Sequence, residues 1–288
     1  MFVLMISFAS LVSAATITGT VKYNGDAPSF KEIKMDADPI CLTHHDKPVL
    51  PQTLVLGDGN TMGNVFVHVV GDLAKKAYPV PTEPVTINQK GCMYDPHVIG
   101  VRVGQKVKIL NPDGTLHNVH AMSKVNPEFN LAMPKFRTET EKTFDKEESM
   151  FPIKCDVHPW MGAWIAVLPD PFFGVTKEDG KFAINDLPAG TYEVEAWHEK
   201  LGIQKVSVTV AEGETKTADF TFSKWTTSQY CSFLRRVGIC FSSFLRALIR
   251  RGSLVDSGIW LIRSLKRRIS GEARPTSSQV LIPAKNGM

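Results

Sequence analysis

The sequence predicts an all-β protein, and three observations carry that prediction. Short segments such as 16–23 and 64–70 alternate apolar and polar residues, and a period of two sends successive side chains to opposite faces of a strand. Glycine, Asp-Gly and Asn-Pro punctuation separates these segments at short intervals, a pattern of sandwiches and barrels. Helical periodicity is confined to the end of the chain, from Lys224 onward.

Taken in order, the chain opens with an apolar run over 1–12 followed by Ser13-Ala14-Ala15. This reads as a signal peptide (1–15) cleaved near Ala14 or Ala15, and it predicts export to the periplasm or beyond the cell. No later run reaches the ~18 apolar residues of a spanning helix. The strand at 16–23 meets Asn24-Gly25, a hairpin-turn signal. Further strands are predicted at 64–70, 84–88, 98–103, 106–110 and 165–168. Past Asp170 the pattern tightens. Residues 173–176, the turn Glu178-Asp179-Gly180 and residues 181–184 form a hairpin. Leu187-Pro188-Ala189-Gly190 then turns into strands at 191–198, 204–210 and 215–222.

With 288 residues, 43% hydrophobic and 22% charged, the chain has room for two modest domains and a tail. The net charge of +4 conceals an asymmetry. Residues 224–288 carry 12 Lys and Arg against 2 Asp and Glu, whereas residues 1–223 carry 21 against 27. The acidic part argues against direct nucleic-acid binding. In the tail, Tyr230, Phe233, Leu234, Val237, Phe241, Phe244, Leu245 and Leu248 fall at helical spacing among arginines. A second basic helical stretch follows near 259–269. Such a helix lies on an anionic membrane surface, enters a partner's groove or packs on its own sandwich. The abrupt change of composition also fits an end not native to the protein.

The chemistry concentrates in Cys155-Asp156-Val157-His158-Pro159-Trp160-Met161, with Leu116-His117-Asn118-Val119-His120 upstream. One thiolate, two imidazoles and a weak thioether make the ligand set of a blue-copper electron-transfer site. Pro159 and Gly162 suit the turn that would let one short loop carry three ligands. His117 and His120 are three apart, so on a strand only one of them can face Cys155. Zinc sites also use a Cys-x2-His pair, although Met is a poor zinc ligand. A buried Cys packed as a small hydrophobe is the plainer rival.

Cys41, Cys92 and Cys155 lie in the acidic part, and Cys231 and Cys240 in the tail. In an oxidising compartment Cys41 and Cys92 can pair and leave Cys155 free, as a copper thiolate requires. Separate thiols, or a second metal held with His44, His45 and His97, are the alternatives. Trp197-His198-Glu199 ends a strand, and Trp197 is expected in the core with His198 and Glu199 in a solvated turn.

The segments Val101-Arg102-Val103-Gly104-Gln105-Lys106-Val107, Asn111-Pro112-Asp113, His117-Asn118-Val119-His120 and Cys155 to Met161 resemble cupredoxins, most closely the amicyanin and plastocyanin branch. The resemblance covers roughly residues 98–168. It implies a Greek-key sandwich or barrel over 84–169 holding one type-1 copper, with His117, Cys155, His158 and Met161 as ligands. It further implies that Asn118 ties the two ligand segments together and that His158 sits near the surface. Pro159 and Trp160 would then form an apolar docking patch for a redox protein partner. A second series, Thr176, Asp179-Gly180-Lys181-Phe182 and Leu187-Pro188-Ala189-Gly190-Thr191-Tyr192, resembles the carboxypeptidase-regulatory-like (prealbumin-type) sandwich. Such domains begin with strands like 17–21, a turn like Gly25-Asp26-Ala27-Pro28, and a strand like 64–70. The expectation is therefore a small sandwich built from 16–75 and 170–223, split by the copper domain. The alternative is two consecutive domains meeting near Pro169.

The resulting expectation is an exported electron carrier and not an enzyme. The chain shows no nucleophile elbow and no phosphate loop, and its eight histidines lack the repeated His-x-His pairs of multicopper oxidases. A copper-handling protein without electron transfer and a non-catalytic, carbohydrate-binding-like interaction module are the competing functions.

Overall fold

Period-two alternation needs partner strands to become structure, and nearly every described segment finds one. The computed structural model describes residues 14–71, 73 and 77–224. Most of the expected signal peptide and the expected helical tail, with Cys231 and Cys240, lie outside the described residues.

In chain order the elements are β1 (Ala15–Asn24), α1 (Pro39–Thr43), β2 (Val55–Leu56), β3 (Met62–Gly63), β4 (Phe66–Val70), β5 (Val85–Lys90) and β6 (Met93–Asp95). They continue as β7 (Val98–Arg102), β8 (Lys106–Leu110), β9 (His117–Ala121), β10 (Phe129–Met133), β11 (Glu139–Thr143), β12 (Glu148–Lys154) and β13 (Gly162–Leu168). The last are β14 (Phe173–Val175), β15 (Lys181–Leu187), β16 (Gly190–His198), β17 (Gly202–Val210), β18 (Thr215–Thr217) and β19 (Phe220–Ser223). The described residues are thus almost entirely β, and α1 spans only five residues.

Strands β5–β13 form two sheets, in the orders β10-β9-β12-β13-β7 and β11-β8-β5-β6. Their inward residues share one core. Ile87, Val107 and Ile109 from one sheet cluster with Val101, Val119, Ile153 and Ile165 from the other. This sandwich carries the ligand candidates. Glu148, buried at the start of β12, organises the loop before β10. Its carboxylate accepts from the Ser123 hydroxyl, the backbone N–H groups of Lys124, Val125 and Asn126, and the Asn126 amide. Burial would raise its pKa, but these donors outweigh burial and hold it down at about 2.

The remaining strands form a second sandwich, one sheet built on β15-β1-β18 with β19 also on β1, the other in the order β14-β4-β16-β17. Its core holds Ile17, Val21, Phe182, Ile184, Phe220 and Phe222 against Val67, Val69, Val194 and Val208. β4 pairs antiparallel with both β14 and β16, and β1 with β15. Strands from either side of β5–β13 therefore share sheets. His68 pairs with Phe173 across β4 and β14, so the chain leaves and re-enters this sandwich at neighbouring positions. A third cluster, Phe66, Val98, Ala166 and Leu168 with Trp164, Phe173 and Trp197, fills the joint between the two sandwiches.

Four details differ from the sequence reading. Residues 173–184 form no hairpin, because β14 pairs with β4 and β15 with β1, in different sheets. Asn24-Gly25 makes no hairpin. Gly25 has φ +147°, away from the left-handed turn region, and β1 pairs instead with β15, β18 and β19. The single strand expected at 215–222 is two, because the chain at Ala218 presses against Gly19. A Cβ there would lie 2.0 Å from the Ala218 carbonyl oxygen. Asp219 then returns a carboxylate to the Thr20 N–H at 2.8 Å. Finally, His198 and Glu199 are not solvated. His198 is buried, and the Glu199 carboxylate pairs with the His97 ring at 2.6 Å in the joint. The two modules pack together here and enclose these two side chains, while Lys200 beside them stays exposed.

Candidate metal centre

The loop between β12 and β13 closes on itself. The Cys155 N–H donates to the Met161 carbonyl at 3.1 Å, and the Met161 N–H donates to the His158 carbonyl at 2.9 Å. The thiol, the imidazole and the thioether therefore leave one tight turn. His117 opens β9, and the preceding loop is shaped by Asn111, whose amide donates to the carbonyls of Thr115 and Met133 at 3.0 and 2.7 Å. Asn118 joins the two segments. Its side-chain oxygen accepts from the Asp156 N–H at 2.7 Å and from the Cys155 thiol at 3.3 Å. Its amide nitrogen donates to Asn130 at 2.6 Å.

His117, Cys155 and His158 converge, with ligand atoms all within 4.8 Å of one another. The two Nδ1 atoms face each other at 2.9 Å, and Cys155 Sγ lies 3.8 Å from His158 Nδ1. All three residues and Met161 are at most 2% exposed, and Met161 shares the core cluster of Cys155. His120 points to the other face of β9, where it binds Asp156 and Glu128.

Each imidazole is held from behind by a carboxylate. His117 Nε2 donates to Asp113 Oδ2 at 2.9 Å, and His158 Nε2 donates to Asp38 Oδ2 at 3.0 Å. Such partners fix the ring tautomer and orientation of metal-binding histidines. Asp113 is itself pinned by the N–H groups of Gly91 and Cys92 at 2.8 and 2.7 Å. Those two residues adopt φ of +64° and +53°, which turns both N–H groups onto one carboxylate. Burial would raise the Asp113 pKa, but His117 and these N–H groups hold it below the ordinary value.

The proton placement tests whether a metal suits the site. With both Nε2 protons directed at carboxylates, the facing Nδ1 atoms present two lone pairs beside a thiol. That arrangement is repulsive unless a proton or a metal cation lies between the rings. In the metal-free chain, burial disfavours a charged His117, yet Asp113 and Cys155 outweigh it and lift its pKa to about 8. Burial likewise raises the Cys155 thiol, but the His117 ring and the N–H groups of Asn118, His158 and Val157 hold it below normal. His158 is shifted down by burial and by His117, against the pull of Asp38. A nitrogen pair and an acidified thiol focused on one point fit a soft-to-borderline cation such as copper.

One expectation is corrected. His158 does not sit near the surface but is 1% exposed. A strap over residues 26–54 covers it. Asp38 caps the N-terminus of α1 through the Ile40 N–H at 2.9 Å and uses its other oxygen on His158. Cys41 in α1 lies 3.6 Å from His158 Nε2 and is disulfide-bonded to Cys92. Cys155 is a free, buried cysteine. His44 and His45 reach the backbone oxygens of Asp113 and Gly91, and His97 reaches the Gly162 carbonyl and Glu199. Pro159 is exposed, whereas Trp160 is half-buried, packed on His158 at 5.1 Å between ring centroids and bonded to the Cys92 carbonyl at 3.0 Å.

The residues that sequence reasoning missed are the two carboxylates. Asp113 stands four positions before His117, so its place was open to inspection. Asp38 lies 120 positions from His158 and carried no signal.

Comparison with known proteins adds two findings. Residues 160–223 match the carboxypeptidase regulatory-like domain. The match begins inside the ligand module, since β13 hydrogen-bonds β12 and β7, and it omits β1 and β4, which complete the second sandwich. Among solved structures, part of the chain is similar to a copper-containing nitrite reductase from Thermus scotoductus SA-01, at 24% identity over 35% of this chain and 28% of that one, with a TM-score of 0.27. It is also similar to a Cu(I) amicyanin variant, at 21% identity over 35% of this chain and 97% of that one, TM-score 0.27. An oxidised amicyanin variant gives 17% identity over 40% and 92%, TM-score 0.26. The chain spans little more than a quarter of the nitrite reductase. No curated protein matches the chain.

Proposed function

We propose that the β5–β13 module is a cupredoxin-type copper domain and that the protein is an exported electron carrier with one type-1 centre. The observation that carries this reading is the convergence of His117 Nδ1, His158 Nδ1 and Cys155 Sγ, with both Nε2 atoms already occupied by carboxylates. When bound, copper supplies a one-electron couple between Cu(I) and Cu(II). His117, Cys155 and His158 would hold it, with Met161 as a weaker thioether donor. Asn118 fixes the distance between the ligand segments, and Asp38 and Asp113 keep the rings from turning. Burial and the disulfide-tied strap exclude water and oppose rearrangement of the ligands, which is what fast one-electron exchange requires. The disulfide and the apolar start of the chain support export.

The strap also favours a second reading. A histidine edge sealed from solvent suits a protein that holds copper without exchanging electrons. Electron self-exchange of the copper-loaded protein, read from NMR line broadening in mixtures of its two redox states, separates the two. Fast exchange supports the carrier, and exchange too slow to broaden lines supports copper handling.

A further inference from the structure

Burial of His158 poses the question of where an electron crosses the protein surface. We propose that the Trp160 indole, rather than an exposed histidine edge, is the port between an outside electron donor and the metal centre. This rests on the carrier reading above.

The contacts of the His158 ring narrow the routes. It meets His117 at 4.8 Å and Trp160 at 5.1 Å between ring centroids, and on its Nε2 side it meets Asp38 and the Cys41 sulfur. His117 is wholly buried, and Asp113 closes its far nitrogen. Asp38 and the disulfide offer no aromatic ring toward solvent. Trp160 is the aromatic neighbour of His158 that reaches outside. It borders an open groove of about 360 Å³ shared with Ile33, Met93, Pro159 and Trp164. Its orientation is fixed, because Nε1 donates to the Cys92 carbonyl at 3.0 Å, the residue whose sulfur anchors the strap. The strap that closes the histidine edge therefore also holds the indole in place.

Electronic coupling through packed π-systems decays less than through saturated contacts of the same length. In the proposed step one electron passes from an outer-sphere one-electron reductant in the groove to the oxidised centre. The reductant loses that electron and the centre gains it. No bond forms or breaks, no proton moves, and Trp160 keeps its closed shell.

The test uses the full chain loaded with copper, with hexaammineruthenium(II) as reductant in stopped flow. Trp160→Leu should keep the visible band and a stoichiometry of one copper while its reduction slows at least ten-fold. Trp160→Phe, which keeps a smaller π-system, should fall between. In tryptophan emission, loading the wild type with copper should quench a component that Trp160→Phe lacks. A pair of charge variants tests the port without touching the indole. Pro159→Glu, at the groove, should speed reduction by the cationic reagent several-fold, and Leu116→Glu, exposed beside His117, should leave it unchanged. Wild-type rates in Trp160→Leu, or acceleration by Leu116→Glu and not by Pro159→Glu, would overturn the port. A wild type with no visible copper band would instead overturn the carrier reading beneath it.

Discussion

Two buried histidines of this chain each rest against a buried carboxylate, and they differ in what the second ring nitrogen meets. His97 in the joint gives Nε2 to Glu199 at 2.6 Å and Nδ1 to the Gly162 carbonyl at 2.9 Å. Both nitrogens face oxygen atoms, so neither is turned toward another ligand atom. His117 gives Nε2 to Asp113 at 2.9 Å, but its Nδ1 faces the Nδ1 of His158 beside a thiol. Burial and a carboxylate partner are common to both. Only the second arrangement turns two ring nitrogens toward each other beside a thiol. The lesson is that what the second ring nitrogen meets, not burial, distinguishes the two histidines.

The largest expected effect falls on the strap that seals the ligand end. Cys41 and Cys92 close a 51-residue separation, so replacing both by Ser should cost roughly 4 kcal/mol in denaturant unfolding. Unchanged stability would mean that the strap is not part of the folded unit. Next comes a buried carboxylate with no histidine, Glu148. Its pKa, about 2 when folded against an ordinary 4.5, gives a contribution fully present above pH 4.5 and lost as pH falls toward 2. The difference in stability between wild type and Glu148→Gln should therefore shrink by roughly 3 kcal/mol across that window. A difference independent of pH would show that the backbone donors do not single out the charged form.

The two histidine partners then part company. Asp113→Asn should weaken copper binding about 10–100-fold, measured by competition with a chelator, because the His117 ring loses its anchor. Glu199→Gln should cost roughly 1–2 kcal/mol of stability, because it weakens a buried charge-assisted bond, and should leave copper affinity as it was. If Glu199→Gln lowers copper affinity as much as Asp113→Asn, the distinction between the two histidines collapses.

Much of the fold was legible because alternation and burial coincide in β1, β4, β8 and β16. β10 and β11 were not, for a physical reason. They are the edges of their sheets, and Glu139-Thr140-Glu141-Lys142-Thr143 has no buried face to impose a pattern. β12 hid behind Pro152 and a register shift between Glu148 and Phe151. At the site, the Cys155 to Met161 loop and the His117 segment were legible because the chemistry sits in short contiguous runs. The strap was not. Residues 26–54 have no period, and their position over His158 depends on Asp38 and a disulfide partner far along the chain. That omission is why His158 was expected at the surface. His198 and Glu199 were misread for a related reason, since a strand end looks solvated until a second module packs against it.

The electron-carrier proposal requires His117, Cys155, His158 and Met161 to act as one copper site. Titration of the metal-free, full-length protein with Cu(II), followed by visible absorption, tests this directly. The expected result is an intense thiolate-to-copper band that saturates at one equivalent, disappears in Cys155→Ser and survives in His120→Ala. A colourless protein, or a band that persists in Cys155→Ser, would contradict it.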